Sequence, residues 1–186
     1  MRPFSVYQGQ WSAAKRDFER DIIPMCAAEG MGLCPWGAIG GGAFKTAAHR
    51  EELAKTGNPG RQIEPRAVDV AVSKVLETVA NRHKTAITSV ALAYVMSKTP
   101  YVAPIVGGRK VEHLLGNIEA LGLELSDEDI KEIESAYEFD HGFPMTFIFR
   151  GEVVKAHPSN VTPTNSLAKF DFVDAVQPIK PKNLDA

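Results

Sequence analysis

The stretch YVAPIVGGRKVEHLLGN, residues 101–117, combines three features that together indicate a strand, a tight turn and a helix. Residues 101–106 form a β-branched and apolar run typical of a buried strand, and Gly107 and Gly108 interrupt it. Residues 110–121 then carry a helical pattern. Because Arg109 and Lys110 stand at the turn, where free amides and the positive end of the helix dipole attract negative charge, the stretch predicts an anion site.

The rest of the chain repeats this alternation of strands and helices. Short strands are predicted at 3–8 and 31–36, before the third at 101–106, and a long loop is predicted from Gly37 to about Pro65. Helices are predicted at 16–30, as two segments between 66 and 98 separated near Lys84, at 110–121, and at 125–137 with a capping box of Ser126 and Asp129. This order predicts an α/β fold of parallel strands with right-handed crossovers. Three strands leave a parallel sheet incomplete, so the chain is expected to be part of something larger.

Composition and residue spacing argue against several classes of function. The 186 residues have a formal charge of −2, which argues against a general nucleic-acid binder. Cys26 and Cys34 lack metal or redox spacing, and the five histidines show no ligand pattern, so no metal site is predicted. No stretch has the length and apolarity of a signal peptide or membrane span, and a cytoplasmic location is the expectation.

Three groups of candidate binding residues follow the three predicted strands. Arg109, His113 and Asn117 are spaced four apart and would form one stripe on a helix, suited to a phosphate and a base edge. The alternative is a glycine turn followed by an ordinary solvated helix face.

The ends of the first two predicted strands carry an amide side chain, Gln8, and an aromatic ring, Trp36. Trp36 ends the second strand and precedes the run GAIGGG, where an aromatic ring could stack on a flat ligand and glycines allow close approach to a pyrophosphate. Gln8, predicted to end the first strand, could bind an amide. A core tryptophan beside a flexible loop and a surface glutamine are the plain alternatives. Since the carboxyl ends of parallel strands meet at one edge, the three groups could line an extended dinucleotide.

At these residues the sequence resembles the aldo-keto reductases, specifically their fungal aryl-alcohol dehydrogenase and norsolorinic acid reductase-like branch. Residues 6–44 resemble the sixth strand through the loop after the seventh strand of that (β/α)8 barrel, and residues 89–130 resemble its last helices and eighth strand. The resemblance runs from Pro3 to about Phe147. It implies the carboxyl-terminal half of a TIM barrel over residues 1–147, about three βα units with an accessory helix, followed by an extended tail over 148–186.

The resemblance also implies an NADPH site. Gln8 would hold the nicotinamide carboxamide, Trp36 would stack on the nicotinamide ring, and the pyrophosphate and adenosine ends would be held by two loops. The pyrophosphate would lie near Gly37, Ile39, Gly40 and Gly41, and the adenosine 2′-phosphate and adenine would lie near Gly107, Gly108, Arg109, His113 and Asn117.

One departure limits what the resemblance implies about chemistry. The catalytic Asp, Tyr, Lys and His of this family belong to the first half of the barrel and have no counterpart in this sequence. A truncated, cofactor-binding half of a reductase for small aldehydes or ketones is therefore the first hypothesis. The second is a non-catalytic nucleotide-binding module that associates with itself through an open sheet edge, and a third is a half-barrel that does not fold stably alone.

Overall fold

A computed structural model of the chain describes residues 2–57, 64–149, 161, 167, 171, 174 and 176–181. Its regular elements, in chain order, are β1 (Val6–Gln10), α1 (Ile22–Glu29), β2 (Gly32–Trp36), α2 (Ala47–Thr56), α3 (Ala67–His83), α4 (Ile87–Lys98), α5 (Val111–Glu119), α6 (Asp127–Glu134) and α7 (Met145–Phe149). Most of the predicted tail over 148–186 lies outside the described residues.

The sheet is parallel but narrower than predicted. β1 and β2 pair in parallel over five residues each, from Val6 opposite Gly32 to Gln10 opposite Trp36. The predicted third strand, 101–106, lies along the far side of β2 but makes only two isolated parallel bridges, Leu33 with Val102 and Trp36 with Ile105.

A proline explains why the third strand is incomplete. The Leu33 N–H donates to the Tyr101 carbonyl at 2.9 Å, and the Leu33 carbonyl accepts from the Ala103 N–H at 2.8 Å. The next rung on this side of β2 would need an N–H at residue 35, which is a proline without a donor. The ladder resumes only where the Ile105 N–H donates to the Pro35 carbonyl at 2.8 Å.

Most of the predicted helices are present, but the first, predicted at 16–30, is a 3-10 turn over Asp17–Glu19 followed by α1, which begins only at Ile22. Gly30 closes α1 in the left-handed conformation, at φ 67°, and α3 and α4 meet at Lys84 as predicted. Both predicted halves of the capping box that starts α6 are present. The prediction of a continuous loop over 37–65 was wrong, because α2 lies within it. None of the α2 side chains is buried, so the helix lacks the apolar stripe that would have revealed it.

The hydrophobic core lies on one side of the sheet only. Leu33 of β2 packs there with side chains of three helices, which include Leu76, Val90 and Ile133. On the opposite face the side chains of Val6, Trp36 and Ile105 are exposed. The predicted α/β architecture is confirmed, and the described residues form a layer of helices on one face of a small parallel sheet.

Candidate cofactor-binding site

The carboxyl ends of the three parallel segments lie side by side at one edge of the sheet. Gln10 is paired with Trp36, and Trp36 is bridged to Ile105, so the chain leaves all three segments at the same level. The loops that follow are therefore neighbours, as the sequence predicted.

Trp36 and Gln8 lie on the same face of the sheet. The Trp36 ring is 44% exposed, so its surface is available to a ligand rather than committed to the core. Gln8 is also exposed, but it is not at the end of β1 as predicted, because the strand continues to Gln10. Gln8 is paired with Cys34, one pleat before the pair formed by Gln10 and Trp36, so its amide lies deeper along this face than the ring.

Gln10, which the sequence reasoning passed over, is the amide side chain nearest the start of the glycine loop. Its Cγ and Nε2 atoms lie 3.6 Å from the position that a Cβ on Gly37 would occupy. Its Oε1 accepts a hydrogen bond from the Lys15 ammonium at 2.9 Å. The alternation of β1 could have revealed it, since positions 8 and 10 of a strand share a face.

The glycine loop is held in a shape that requires glycine. Gly37, Gly40 and Gly41 have φ values of 75°, 77° and 60°, in the left-handed region, and the Gly40 N–H donates to the Gly37 carbonyl at 2.9 Å. A Cβ on Gly40 would lie 2.6 Å from the Phe44 ring, whereas a Cβ on Gly41 would meet nothing within 4 Å. Gly40 thus serves internal packing, Gly41 borders open space, and Ile39, which precedes both, packs against the core.

A second feature missed from the sequence is a pair of cations beside this loop. The half-buried Lys45 donates to the Gly42 carbonyl, and Arg50 donates to the Ala43 carbonyl at 2.7 Å. Burial, and after it the charge of Arg50, lowers the pKa of Lys45. An anion at the loop would offset this repulsion. The signal was a lysine three residues after the last glycine of the run.

The third loop, Gly107–Lys110, differs from the prediction in where the helix begins. α5 starts at Val111 with Lys110 as its N-cap, so Arg109 precedes the helix and only His113 and Asn117 share its face. The Arg109 backbone N–H donates to the His113 Nδ1 atom at 3.3 Å. In the neutral imidazole an Nδ1 that accepts this bond leaves the proton on Nε2, which can then donate to a ligand.

The two glycines of this loop differ in whether a side chain would fit at their positions. A Cβ on Gly108 would lie 2.7 Å from the His113 Cβ, so the close turn requires glycine there. A Cβ on Gly107 would meet nothing within 4 Å, and the position opens to solvent. Arg109 is exposed, and its guanidinium has no hydrogen bond or ion pair among the described residues. Asn117 is half-buried, on the side of α5 that faces the protein.

A separate polar cluster lies outside these loops and was not predicted. Glu19, fully buried, accepts hydrogen bonds from the Arg16 guanidinium at 2.8 Å and the Tyr94 hydroxyl at 3.2 Å, and its carboxylate lies 3.2 Å from the Lys98 ammonium. Burial alone raises the pKa of Glu19, but Lys98 and Arg16 outweigh it and the pKa falls below its usual value. Arg16 also lines a cavity of about 580 Å³ with Tyr137, Phe139 and His141, none of them a predicted site residue.

The described residues contain neither a cluster of metal-ligating side chains nor a helix that could span a membrane. Within residues 2–57, 64–149 and the few described beyond them, no three His, Cys, Asp or Glu side chains are grouped so as to hold a metal ion. In the same part of the chain, the helices are too short or too polar to cross a membrane.

Parallel strands whose carboxyl-terminal loops meet at one edge are typical of an α/β protein of the barrel or open-sheet kind. The family model described as aldo/keto reductase matches residues 2–138, and the chain belongs to that family.

The relatives make the branch more specific. The chain is 52% identical to norsolorinic acid reductase B of Dothistroma septosporum over 97% of its own length and 48% of that protein. It is 48% identical to an aryl-alcohol dehydrogenase of Pestalotiopsis microspora over 97% of its length and 46% of that protein. The chain thus spans about half the length of the curated relatives it matches.

Two solved structures show the same fold. A thermostable aldo-keto reductase in complex with the inhibitor epalrestat superposes with a TM-score of 0.53 at 25% identity, over 74% of this chain and 41% of the other. An aldo/keto reductase from Klebsiella pneumoniae in complex with NADP and acetate gives a TM-score of 0.51 at 19% identity, over 72% of this chain and 39% of the other.

Proposed function

We propose that this chain is the cofactor-binding half of an NADPH-dependent oxidoreductase that reduces aldehydes or ketones, with the fold of the carboxyl-terminal part of a (β/α)8 barrel. The observation that carries the proposal is the convergence, at one edge of a parallel sheet, of an exposed indole, an open glycine loop and an arginine whose guanidinium is unpaired among the described residues. Membership of the aldo/keto reductase family supports a nicotinamide cofactor. A family neighbour solved with NADP points the same way.

In this proposal each loop holds one part of the nucleotide. Gln8 binds the carboxamide and Trp36 stacks on the nicotinamide, because both face the exposed side of the sheet. The pyrophosphate lies over Gly37, Ile39, Gly40 and Gly41, where the left-handed glycines leave room and Lys45 adds charge. When bound, the cofactor supplies a hydride.

The adenosine end would be held by the third loop. Gly107 and Gly108 form the turn, and Arg109 and the Nε2–H of His113 bind the 2′-phosphate, since a guanidinium binds phosphate oxygens bidentately. Asn117 binds the adenine edge. The half-buried position of Asn117 gives its amide a fixed direction that an exposed side chain would lack.

We infer that this chain alone binds the cofactor without turning over a carbonyl substrate. The resemblance implies that the catalytic Asp, Tyr, Lys and His belong to the first half of the barrel, and this chain matches about half the length of its relatives. A cytoplasmic location fits a reductase that uses NADPH.

A second candidate is a non-catalytic nucleotide-binding module that associates with itself. The exposed apolar side chains on α5 and on the sheet face opposite the core favour it. Sedimentation distinguishes the two candidates, because a monomer that unfolds cooperatively contradicts self-association.

NADPH titration of the purified chain, followed by tryptophan fluorescence, tests the site. Trp11 is fully buried and stacked on Phe18, so a ligand-dependent change should come from Trp36 and disappear in Trp36→Phe. Arg109→Ala should weaken NADPH binding at least about tenfold and reduce the preference over NADH, because it removes a charge-assisted phosphate contact.

Arg2→Ala is the matched control, since Arg2 is exposed and lies outside the three loops. Identical NADPH curves for the wild type and Arg109→Ala would remove Arg109 from the site. Turnover of an aryl aldehyde by the chain alone would overturn the inference that it lacks a complete catalytic set.

A further inference from the structure

The cavity of about 580 Å³ lies where the end of α6 and the segment after it meet the turn that precedes α1. Arg16 lines it from that turn, and the other lining residues come from between Glu134 and Thr146. None of the described residues that line it belongs to the sheet, to α5 or to the three candidate cofactor loops. Its volume lies within the range of about 300–1,000 Å³ that is typical of small-molecule sites. The cavity is therefore a separate place that is large enough for a small ligand.

Arg16 brings a buried positive charge to the wall of this cavity. Its side chain is only 6% exposed, and its Nε and Nη2 atoms donate to the Glu19 carboxylate at 3.1 and 2.8 Å. The third nitrogen, Nη1, donates to no acceptor among the described residues. In the described part of the chain every fully buried side-chain nitrogen or oxygen has a hydrogen-bond partner, so Nη1 must be accessible. Because Arg16 lines the cavity, Nη1 is left to donate to an acceptor on a ligand there.

The wall beside Arg16 is aromatic and is held in place. The centre of the Phe139 ring lies 4.7 Å from the guanidinium carbons of both Arg16 and Arg20. The His141 ring meets Phe139 edge-on, with 4.8 Å between the ring centroids. Arg20 also donates two hydrogen bonds to the Asp140 carbonyl, at 2.8 and 3.1 Å. The cavity thus has a preformed aromatic wall, against which an apolar group can pack at little cost in ordering.

Exposed carboxylates line another part of the cavity. Glu138 and Asp140 are both exposed and both belong to its lining. Asp140 Oδ1 accepts a hydrogen bond from the Gly142 N–H at 2.8 Å. The Glu138 carboxylate has no hydrogen bond or ion pair among the described residues, so it is free to accept from a ligand.

The buried charges behind these carboxylates balance each other. Two cations, Arg16 and Lys98, contact two carboxylates. The carboxylates are those of Glu19 and Glu134. Burial lowers the pKa of His141, so this ring adds little charge at neutral pH. The cavity therefore combines one open donor on a buried cation with negative charge from the exposed carboxylates.

We propose that this cavity binds a zwitterionic amino acid with an apolar side chain. Arg16 Nη1 donates to the carboxylate of the ligand, and Glu138 accepts from its ammonium group. The apolar side chain packs against Tyr137 and Phe139. A ligand with a carboxylate alone would be repelled by Glu138 and Asp140, and a ligand with an ammonium group alone would lie beside Arg16. A ligand that carries both charges satisfies both groups.

Isothermal titration calorimetry with three matched compounds tests the proposal without changing the protein. L-Phenylalanine carries both charges, phenethylamine carries only the ammonium group, and 3-phenylpropionate carries only the carboxylate. With the 186-residue chain near neutral pH, we expect phenylalanine to bind at least about tenfold more tightly than either analogue, because each analogue lacks one charge-assisted hydrogen bond. Equal binding of the three compounds, or no binding of phenylalanine, overturns the proposal.

A substitution at Glu138 tests the ammonium contact. Glu138→Gln should weaken phenylalanine binding at least about tenfold, and it should leave 3-phenylpropionate binding equal or stronger, because it removes a repelling charge. Glu128→Gln is the matched control, since Glu128 is an exposed glutamate of α6 that does not line the cavity. This control should bind all three compounds as the wild type does. Phenylalanine binding that is unchanged in Glu138→Gln would contradict the proposed contact.

The contact with Arg16 needs a readout other than substitution, because Arg16→Ala would also disrupt the buried ion pair with Glu19. Heteronuclear NMR of the arginine side-chain N–H groups provides it. Phenylalanine and 3-phenylpropionate should shift the Arg16 signals, whereas phenethylamine should not. Arg16 signals that stay in place at saturating phenylalanine would show that the carboxylate is bound elsewhere, and the proposal would fail.

NADPH separates this site from the proposed cofactor site. Phenylalanine should bind equally well with and without saturating NADPH, because the cavity shares no lining residue with the three loops. Displacement of phenylalanine by NADPH would place both ligands in the cofactor site and overturn the proposal. Phenylalanine binding by a chain that does not bind NADPH would support the amino acid site and count against the proposed function alone.

Discussion

The two sides of this small sheet differ in how far their side chains are buried and paired. On the core side, even charged groups are buried and paired, as in the cluster of Glu19, Arg16 and Lys98. On the opposite side, and along α5, large apolar side chains lie in solvent. On the core side the described residues bury the apolar side chains and pair the charged ones. On the opposite face of the sheet and on α5, the described residues leave large apolar side chains uncovered.

The largest expected effect of a single substitution is on the buried cluster. Glu19→Ala would leave the buried Arg16 and Lys98 with only the partly exposed carboxylate of Glu134, and losing the buried partner of an ion pair costs up to about 3–5 kcal/mol of unfolding free energy. Urea unfolding followed by circular dichroism measures the loss. Glu51→Ala on the exposed α2 is the control and should shift the midpoint little. Equal midpoints for the two variants would mean that the cluster does not stabilise the core side.

A matched pair of leucines compares the two sides directly. Leu76 of α3 is fully buried, and Leu76→Ala should cost about 2–5 kcal/mol through lost burial and the cavity left behind. Leu115 of α5 is 53% exposed, and Leu115→Ala should change the stability of the isolated chain by about 0.5 kcal/mol or less. Urea midpoints of both variants give the comparison. A large loss from Leu115→Ala would show that the Leu115 side chain is already covered in the chain alone.

The sequence was a good guide wherever apolar periodicity decided the structure. Val72, Val79 and their neighbours predicted α3, and the parallel order of the three strand segments followed from their alternation with helices. The sequence did not predict α2, because this helix has no stripe of buried apolar side chains. The local signal for its start was the N-cap Thr46, whose hydroxyl accepts a hydrogen bond from the His49 N–H at 3.2 Å.

Side-chain placement in the site was harder to predict than the site's location. The level of Gln8 on β1 and the start of α5 after Arg109 both depend on element ends, which sequence patterns fix only to within a few residues. The buried cluster could not be predicted, because Glu19 and Glu134 are brought together around Tyr94 by tertiary packing. Burial of charges is not readable from a local pattern.

The smallest effect that we predict concerns the first turns of two helices, α6, which packs on the core, and α5, whose large apolar side chains are exposed. α6 begins with a reciprocal capping box, in which the Asp129 N–H donates to the Ser126 hydroxyl at 3.1 Å and the Ser126 N–H donates to the Asp129 carboxylate at 3.0 Å. α5 begins at Lys110 without a side-chain cap. Ser126→Ala should therefore cost about 1 kcal/mol of unfolding free energy, and Lys110→Ala should cost close to nothing.

Amide hydrogen exchange gives a local readout beside the urea midpoints. Ser126→Ala should speed exchange at the first turn of α6, whereas the first turn of α5 should already exchange fast in the wild type. Because Asp129 also receives a contact of 2.9 Å from the His83 Nε2 atom of α3, the loosened α6 start should weaken that helix contact as well. Slow exchange at the α5 start in the isolated chain would contradict the comparison, since it would mean that α5 is held as firmly as α6 without a partner.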